Sequence, residues 1–233
     1  YNVKKNTKVK NKYLFSNDIS YFFHKQKLLL GLFLGTTVII PFLTYSPLLS
    51  VTENLNNMFL VNLNLNKYNI LNVIYYVLSL TMFVYLAVNL YTKDLMYNLD
   101  NIFLREKIIS WSKMKLVTII LLTILVKFIA YILVVLTLSL RAGSISFELA
   151  ILIRDLAYTI LLELLFLNSY VLYLRDYKIV SIISGLIFLL AVSLGVVWFK
   201  DISSILIIVL VISLIFLHKK RPSKLIERVG MIR

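Results

Sequence analysis

The sequence predicts an all-α membrane protein. Six transmembrane helices are expected, with both termini in the cytoplasm. One amphipathic helix should lie at the interface before the first span, and another between spans two and three. Three observations carry this reading. The 233 residues are 60% hydrophobic and 15% charged, whereas soluble domains run about 45–50% apolar and about 25% charged. The apolar residues gather into runs of about twenty, the length that crosses roughly 30 Å of hydrocarbon. Between these runs, the basic residues fall mainly on one side.

The spans are placed at about residues 28–43, 69–90, 116–138, 149–173, 179–199 and 202–217. Backbone polar groups cannot face lipid unpaired, so a spanning segment is a helix or a barrel strand. Strands would alternate with a period of two, but these runs are apolar on every side, so they are read as helices. Pro41, Pro47 and Pro222 fall at span ends or outside the spans. The first apolar stretch starts only after about 27 residues and has no small-x-small cleavage pattern after it, so it is expected to stay in the membrane.

Twenty of the 25 Lys and Arg lie in the N-terminal segment, in the loops after spans two and four, and in the tail. The opposite side holds Lys67, Arg141, Arg154 and Lys200, and Lys127 lies inside span three. The positive-inside rule then puts both termini in the cytoplasm, which agrees with an even number of spans. The net charge of +14 reads as orientation and attraction to anionic membrane lipid, and nucleic acid is not expected as a partner. With no cysteine, disulfides, thiol catalysis and thiolate metal sites are excluded. His24 and His218 stand near opposite ends, so no metal site is expected and neither histidine can join Glu163 in a catalytic centre. No GxxxxGK[ST] occurs, so the chain has no ATP-binding loop of its own and is not expected to be an enzyme.

Outside the spans, residues 13–27 read YLFSNDISYFFHKQK. Phe15, Ile19, Phe22 and Phe23 recur at helical spacing, with Ser16, Asn17, Asp18, His24 and Lys25 mostly elsewhere on the wheel. This fits a helix in the cytoplasmic interface with Ser16 as its N-cap, or else a cytoplasmic extension of span one. The connection YTKDLMYNLDNIFLREKIISWSKMK, Tyr91 to Lys115, is long for two antiparallel helices, which are usually joined by about 2–8 residues. Within residues 95–109 an apolar face of Leu95, Leu99, Ile102, Phe103 and Ile109 alternates with Asp100, Arg105, Glu106 and Lys107. Such a helix lies on lipid or docks in a partner's groove. Its acidic residues favour a protein partner.

These two segments, with six spans and both ends inside, resemble the short permease subunits of ABC-2-type ABC transporters of Gram-positive bacteria. Similar subunits export amphipathic peptide toxins and lantibiotics or protect against them. The resemblance implies that the loop between spans two and three is a coupling helix seated in a cleft of a cytoplasmic ABC ATPase. That role would fall on Asn98, Leu99, Ile102, Phe103, Leu104, Arg105 and Glu106, with Phe103 as apolar anchor and Arg105 as polar contact. It further implies a second permease copy or a related permease, and ATP and Mg on the ATPase alone. The short Lys200-Asp201 link departs from family members that carry outward helices between spans five and six.

Charged groups at the bilayer centre cost about 2.5–3.5 kcal/mol each on insertion scales, so each needs a reason. Lys127 lies twelve residues after Lys115, and Glu163 twelve before Arg175. Equal depth on antiparallel helices predicts that they pair. Asp155, Thr159 and Glu163 form one stripe, and Thr123, Lys127 and Tyr131 face it. The stripes either line a substrate path or form a buried pair that fixes spans three and four. Arg154-Asp155 is expected near the outer interface. Span one carries Gly31-x-x-x-Gly35, and span five carries Ser184 and Gly185. The small residues serve intrachain packing or, as the resemblance implies, a dimer seam.

The resulting expectation is the permease subunit of an ATP-driven exporter in the cell membrane, moving an amphipathic peptide or lipid-like substrate. The alternative is a non-transporting scaffold or immunity protein that sequesters a peptide.

Overall fold

The computed structural model describes residues 15–59, 69–97 and 108–174, with positions 179, 182, 185 and 186. Among the described residues every regular element is a helix: α1 (residues 15–25), α2 (Lys27–Thr44), α3 (Val51–Met58), α4 (Ile70–Tyr97), α5 (Ile108–Ala142) and α6 (Leu149–Leu174). Three of them contain stretches long and apolar enough to cross a membrane: Lys27–Thr44, Ile70–Lys93 and Met114–Ala142. The chain therefore has the make-up of a membrane protein. Helix α6 matches the fourth expected segment in its bounds. The fifth and sixth segments lie outside the described residues, apart from the four isolated positions. So do residues 98–107 of the connecting loop.

Helix α2 buries Leu30, Phe33, Thr37, Ile40 and Pro41 along one face. Leu28, Leu32, Val38, Ile39, Phe42 and Leu43 remain exposed on the others. An apolar residue exposed on a spanning helix faces lipid or another membrane helix, so this surface costs nothing in a bilayer. Pro41 sits in the last turn, where the loss of one N–H breaks little of the ladder. Three threonines bond back to the helix: the hydroxyls of Thr36, Thr37 and Thr44 donate to the carbonyls of Phe33, Leu34 and Ile40. Such hydroxyls pass through the membrane with their hydrogen bonds made.

The segment after α2 folds into a helix that the apolar pattern alone does not reveal. Ser50 and Glu53 form a capping box: the Ser50 side chain accepts from the Glu53 N–H, and the Glu53 carboxylate accepts from the Ser50 N–H. The S-x-x-E spacing is its signature. Asn54 then ties down the preceding turn, accepting from the Ser46 N–H and donating to the carbonyls of Ser46, Leu49 and Ser50. Phe59 closes α3 against Tyr75 of α4 and Tyr131 of α5.

Helix α2 packs on both α4 and α5, and α6 packs on the same two helices. Phe33 stacks on Tyr75 and meets Phe83 edge-on, joining α2 to α4. Helices α5 and α6 form a hairpin. Gly143, at φ 69°, ends α5 in the left-handed conformation, and its N–H donates to the Ser139 carbonyl. At about 1.5 Å per residue, the 28 residues of α4 and 35 of α5 reach about 42 Å and about 52 Å. Both lengths exceed the hydrocarbon thickness of about 30 Å.

Helix α1 is joined to α2 through the single bent residue Gln26. The hydrogen-bond ladder crosses the bend, from Gln26 N–H to Phe22 O and from Leu30 N–H to Gln26 O. Two expectations for α1 are corrected. Ser16 lies inside the helix and is not its cap. The buried face is centred on Asp18 and Phe22, each 2% exposed, while Phe23 is 45% exposed. Asp18 turns inward because two lysines await it there.

Candidate functional site

Two clusters of buried charge stand at different depths in the bundle. The first lies where α1, α4 and α5 meet. One carboxylate oxygen of Asp18 accepts from Lys93 Nζ at 2.8 Å and also from Lys115 Nζ. Lys93 also donates to the Asn17 carbonyl and lies 4.5 Å from the centre of the Tyr21 ring. Beside them Tyr91 packs on Trp111, with ring centroids 5.2 Å apart. All three ionic groups are buried.

Formally the trio carries one excess positive charge. Its placement matters because Lys93 ends the stretch of α4 long and apolar enough to span a membrane, and Lys115 is the second residue of that of α5. Asp18 therefore bridges the two roots of the 98–107 loop. Sequence reasoning assigned both lysines to the cytoplasmic positive side and put Asp18 on a polar face. The missed signal was an acid on an otherwise apolar and aromatic turn, Ile19, Tyr21 and Phe22.

The second cluster lies within the membrane bundle. Lys127 Nζ pairs with Asp155 Oδ2 at 2.7 Å, and both residues are buried. The pairing of Lys127 with Glu163 expected from the sequence is corrected. Glu163, 1% exposed, accepts from the Thr123 hydroxyl at 2.9 and 3.0 Å. Thr123 opposite Glu163 sets Lys127 level with Thr159, one turn from either carboxylate. The Lys115–Arg175 depth estimate was thus one turn out. The ammonium turns toward Asp155, which would otherwise be a buried charge without a counterion.

Thr159 donates its hydroxyl to the Asp155 carbonyl and does not enter the ionic contact. Tyr131 serves a different purpose: its hydroxyl donates to the Glu148 carbonyl and accepts from the Glu148 N–H, sealing the entrance to α6. Arg154 is exposed, while its neighbour Asp155 is buried.

Helix α4 contributes a polar stripe that sequence reasoning passed over. Asn72, Tyr76 and Ser79, at i, i+4 and i+7, are all buried. Tyr76 stacks on Tyr158 of α6. The Asn72 Oδ1 and the Ser79 hydroxyl have no hydrogen-bond partner among the described residues. The Lys127 ammonium lies 5.3 Å from the Phe83 ring centre, one turn further along α4. Helices α4, α5 and α6 thus enclose a polar interior, as a substrate path or a fixed packing device each would require.

The expected dimer residues divide. A Cβ built at Gly31, Gly35 or Gly185 meets nothing within 4 Å, so intrachain packing of the GxxxG face is not seen among the described residues. Ser184 lies outside them, as do the expected coupling residues Asn98, Leu99, Ile102, Phe103, Leu104, Arg105 and Glu106. Among the described residues no group of three His, Cys, Asp or Glu side chains is placed to hold a metal ion. Comparison of the chain with protein-family models, curated proteins and solved structures finds no match.

Proposed function

We propose that the chain is the permease subunit of an ATP-driven exporter of the ABC-2 type. It would move an amphipathic peptide or lipid-like substrate across the cytoplasmic membrane of a Gram-positive bacterium. In this reading it crosses the membrane six times with both ends inside. A separate ATPase holds the ATP and Mg. The observation that supports it best is the Asp18 bridge. A loop that receives a push from an ATPase must have roots that move as one body, or the push is lost in local bending. Asp18 joins both roots and is itself continuous, through Gln26, with the spanning helix α2. The ATPase must bind the two states of the bundle with different affinity for its cycle to drive transport.

The test is a pull-down of the tagged protein from native membranes in mild detergent, with mass spectrometry. A P-loop ATPase is expected with the wild type and is lost with Phe103→Ala/Arg105→Ala. An intact protein that brings down no ATPase would instead favour the sequestering scaffold.

A second permease copy is part of the proposal, placed along Gly31 and Gly35. Gly35→Leu is expected to leave the described bundle intact, because the space beside it is open among the described residues. It should weaken self-association in liposomes about tenfold, since small residues allow close helix approach. Energy transfer between labelled copies reads the result directly. Unchanged transfer removes this seam.

A further inference from the structure

Glu163 is enclosed by the bundle, and its carboxyl is not held by a cation. It is 1% exposed, and both its oxygens lie on one hydroxyl, that of Thr123, at 2.9 and 3.0 Å. Among the described residues, the cation whose charge reaches it is Lys127. That ammonium is already paired with Asp155 at 2.7 Å. The other titratable groups of this interior are phenols: Tyr75 and Tyr76 on α4, Tyr131 on α5 and Tyr158 on α6, all buried. None of them supplies positive charge. An ionisable residue so placed in a membrane bundle is a candidate for function.

The first argument about its proton is one of charge. Lys127 and Asp155 balance each other, so an ionised Glu163 would leave one uncompensated negative charge in the interior. An isolated buried carboxylate is costly enough that the group takes up a proton instead. The second argument is one of hydrogen bonding. A threonine hydroxyl has one proton to give and two lone pairs to offer. Facing a carboxylate, it divides that single proton between two oxygens. Facing a carboxylic acid, it donates to one oxygen and accepts the O–H of the other. Both separations fall within the range of O–H···O bonds, so the protonated form makes a full hydrogen bond of each contact.

We propose that Glu163 is a proton-binding site, occupied in the closed bundle and held by reciprocal hydrogen bonds with Thr123. An exposed glutamate is ionised at neutral pH. Water reaching the carboxyl therefore releases the proton, and closing this interior takes it up again. The site needs only α5 and α6 and no ATPase, so the pull-down and the test of the proton fail separately.

The test is infrared spectroscopy of the full chain in an ester-free detergent at neutral pH. The C=O stretch of a protonated carboxyl stands apart there from the carboxylate and amide bands. Wild type is expected to show such a band, and Glu163→Gln to lose it while keeping a donor and an acceptor for Thr123. Thr123→Val should keep the band but move it to higher frequency, because the carbonyl no longer accepts a hydrogen bond. Proton release gives a second readout. Denatured in unbuffered solution at neutral pH, wild type should release about one proton more than Glu163→Gln. A carboxyl band that Glu163→Gln leaves unaltered, or equal proton release from the two proteins, overturns the proposal. A band that Thr123→Val does not move overturns the reciprocal bonding.

Discussion

Asp18→Ala is expected to be among the most destabilising single changes in the described bundle, at about 3–5 kcal/mol. The substitution removes one small side chain, yet it takes the shared carboxylate from two buried ammonium groups, Lys93 and Lys115, at 8% and 2% exposure. The Coulomb attraction and both charge-assisted hydrogen bonds go together. The opposite substitution separates this account from one based on packing. Lys93→Met should cost far less, because Asp18 keeps its contact with the Lys115 ammonium. Its methylenes keep most of the contact with Tyr21, though the cation–π attraction is lost. The measurement is unfolding in detergent followed by tryptophan fluorescence, since Trp111 packs beside the cluster. If Lys93→Met costs as much as Asp18→Ala, the cluster is held by shape and not by charge.

How much of this was legible in the sequence follows from which forces leave a periodic trace. Burial in lipid acts on every residue of a span, so the run at 28–43 returns as Lys27–Thr44, a helix apolar enough to cross a membrane, and the run at 149–173 returns as the helix Leu149–Leu174. Capping is local and has its own spacing: Ser50 and Glu53 carry the S-x-x-E signature, yet α3 is polar overall and only eight residues long, so its apolar face of Val51, Leu55 and Met58 is too short to stand out. Ion pairing is neither local nor periodic. Asp18 finds partners 75 and 97 residues away, and a polar residue's position on a helical wheel does not say which neighbour will arrive. The same limit misplaced Lys127. Its depth was readable to about one turn, but one turn is the distance between Asp155 and Thr159 on α6. The residue types of the intramembrane cluster were therefore legible and the pairing was not. Asn72, Tyr76 and Ser79 were overlooked for a related reason. An apolar average over span two hides three polar groups that share one face.

Lys127→Ala and Asp155→Ala should each destabilise the protein by roughly 3–5 kcal/mol, because each leaves its partner charged or forced to neutralise inside the bundle. The paired variant Lys127→Met/Asp155→Leu should recover most of that loss, since an apolar pair of similar volume needs no hydration and no counterion. In a double-mutant cycle the residues in contact give a coupling well above the few tenths of a kcal/mol expected for independent sites. Lys127→Ala/Glu163→Ala is the control for the pairing that the sequence suggested. Its coupling should be smaller, because Glu163 takes its hydrogen bonds from Thr123. The two roles of the cluster then separate. If the pair only fixes the packing of α5 on α6, the Met/Leu variant transports as well as it folds. If Lys127 and Asp155 line a substrate path, the same variant is stable and inactive, because its interior no longer offers charge to a passing polar group. Stability and transport measured on one protein therefore decide between a structural pair and a path, which neither measurement achieves alone.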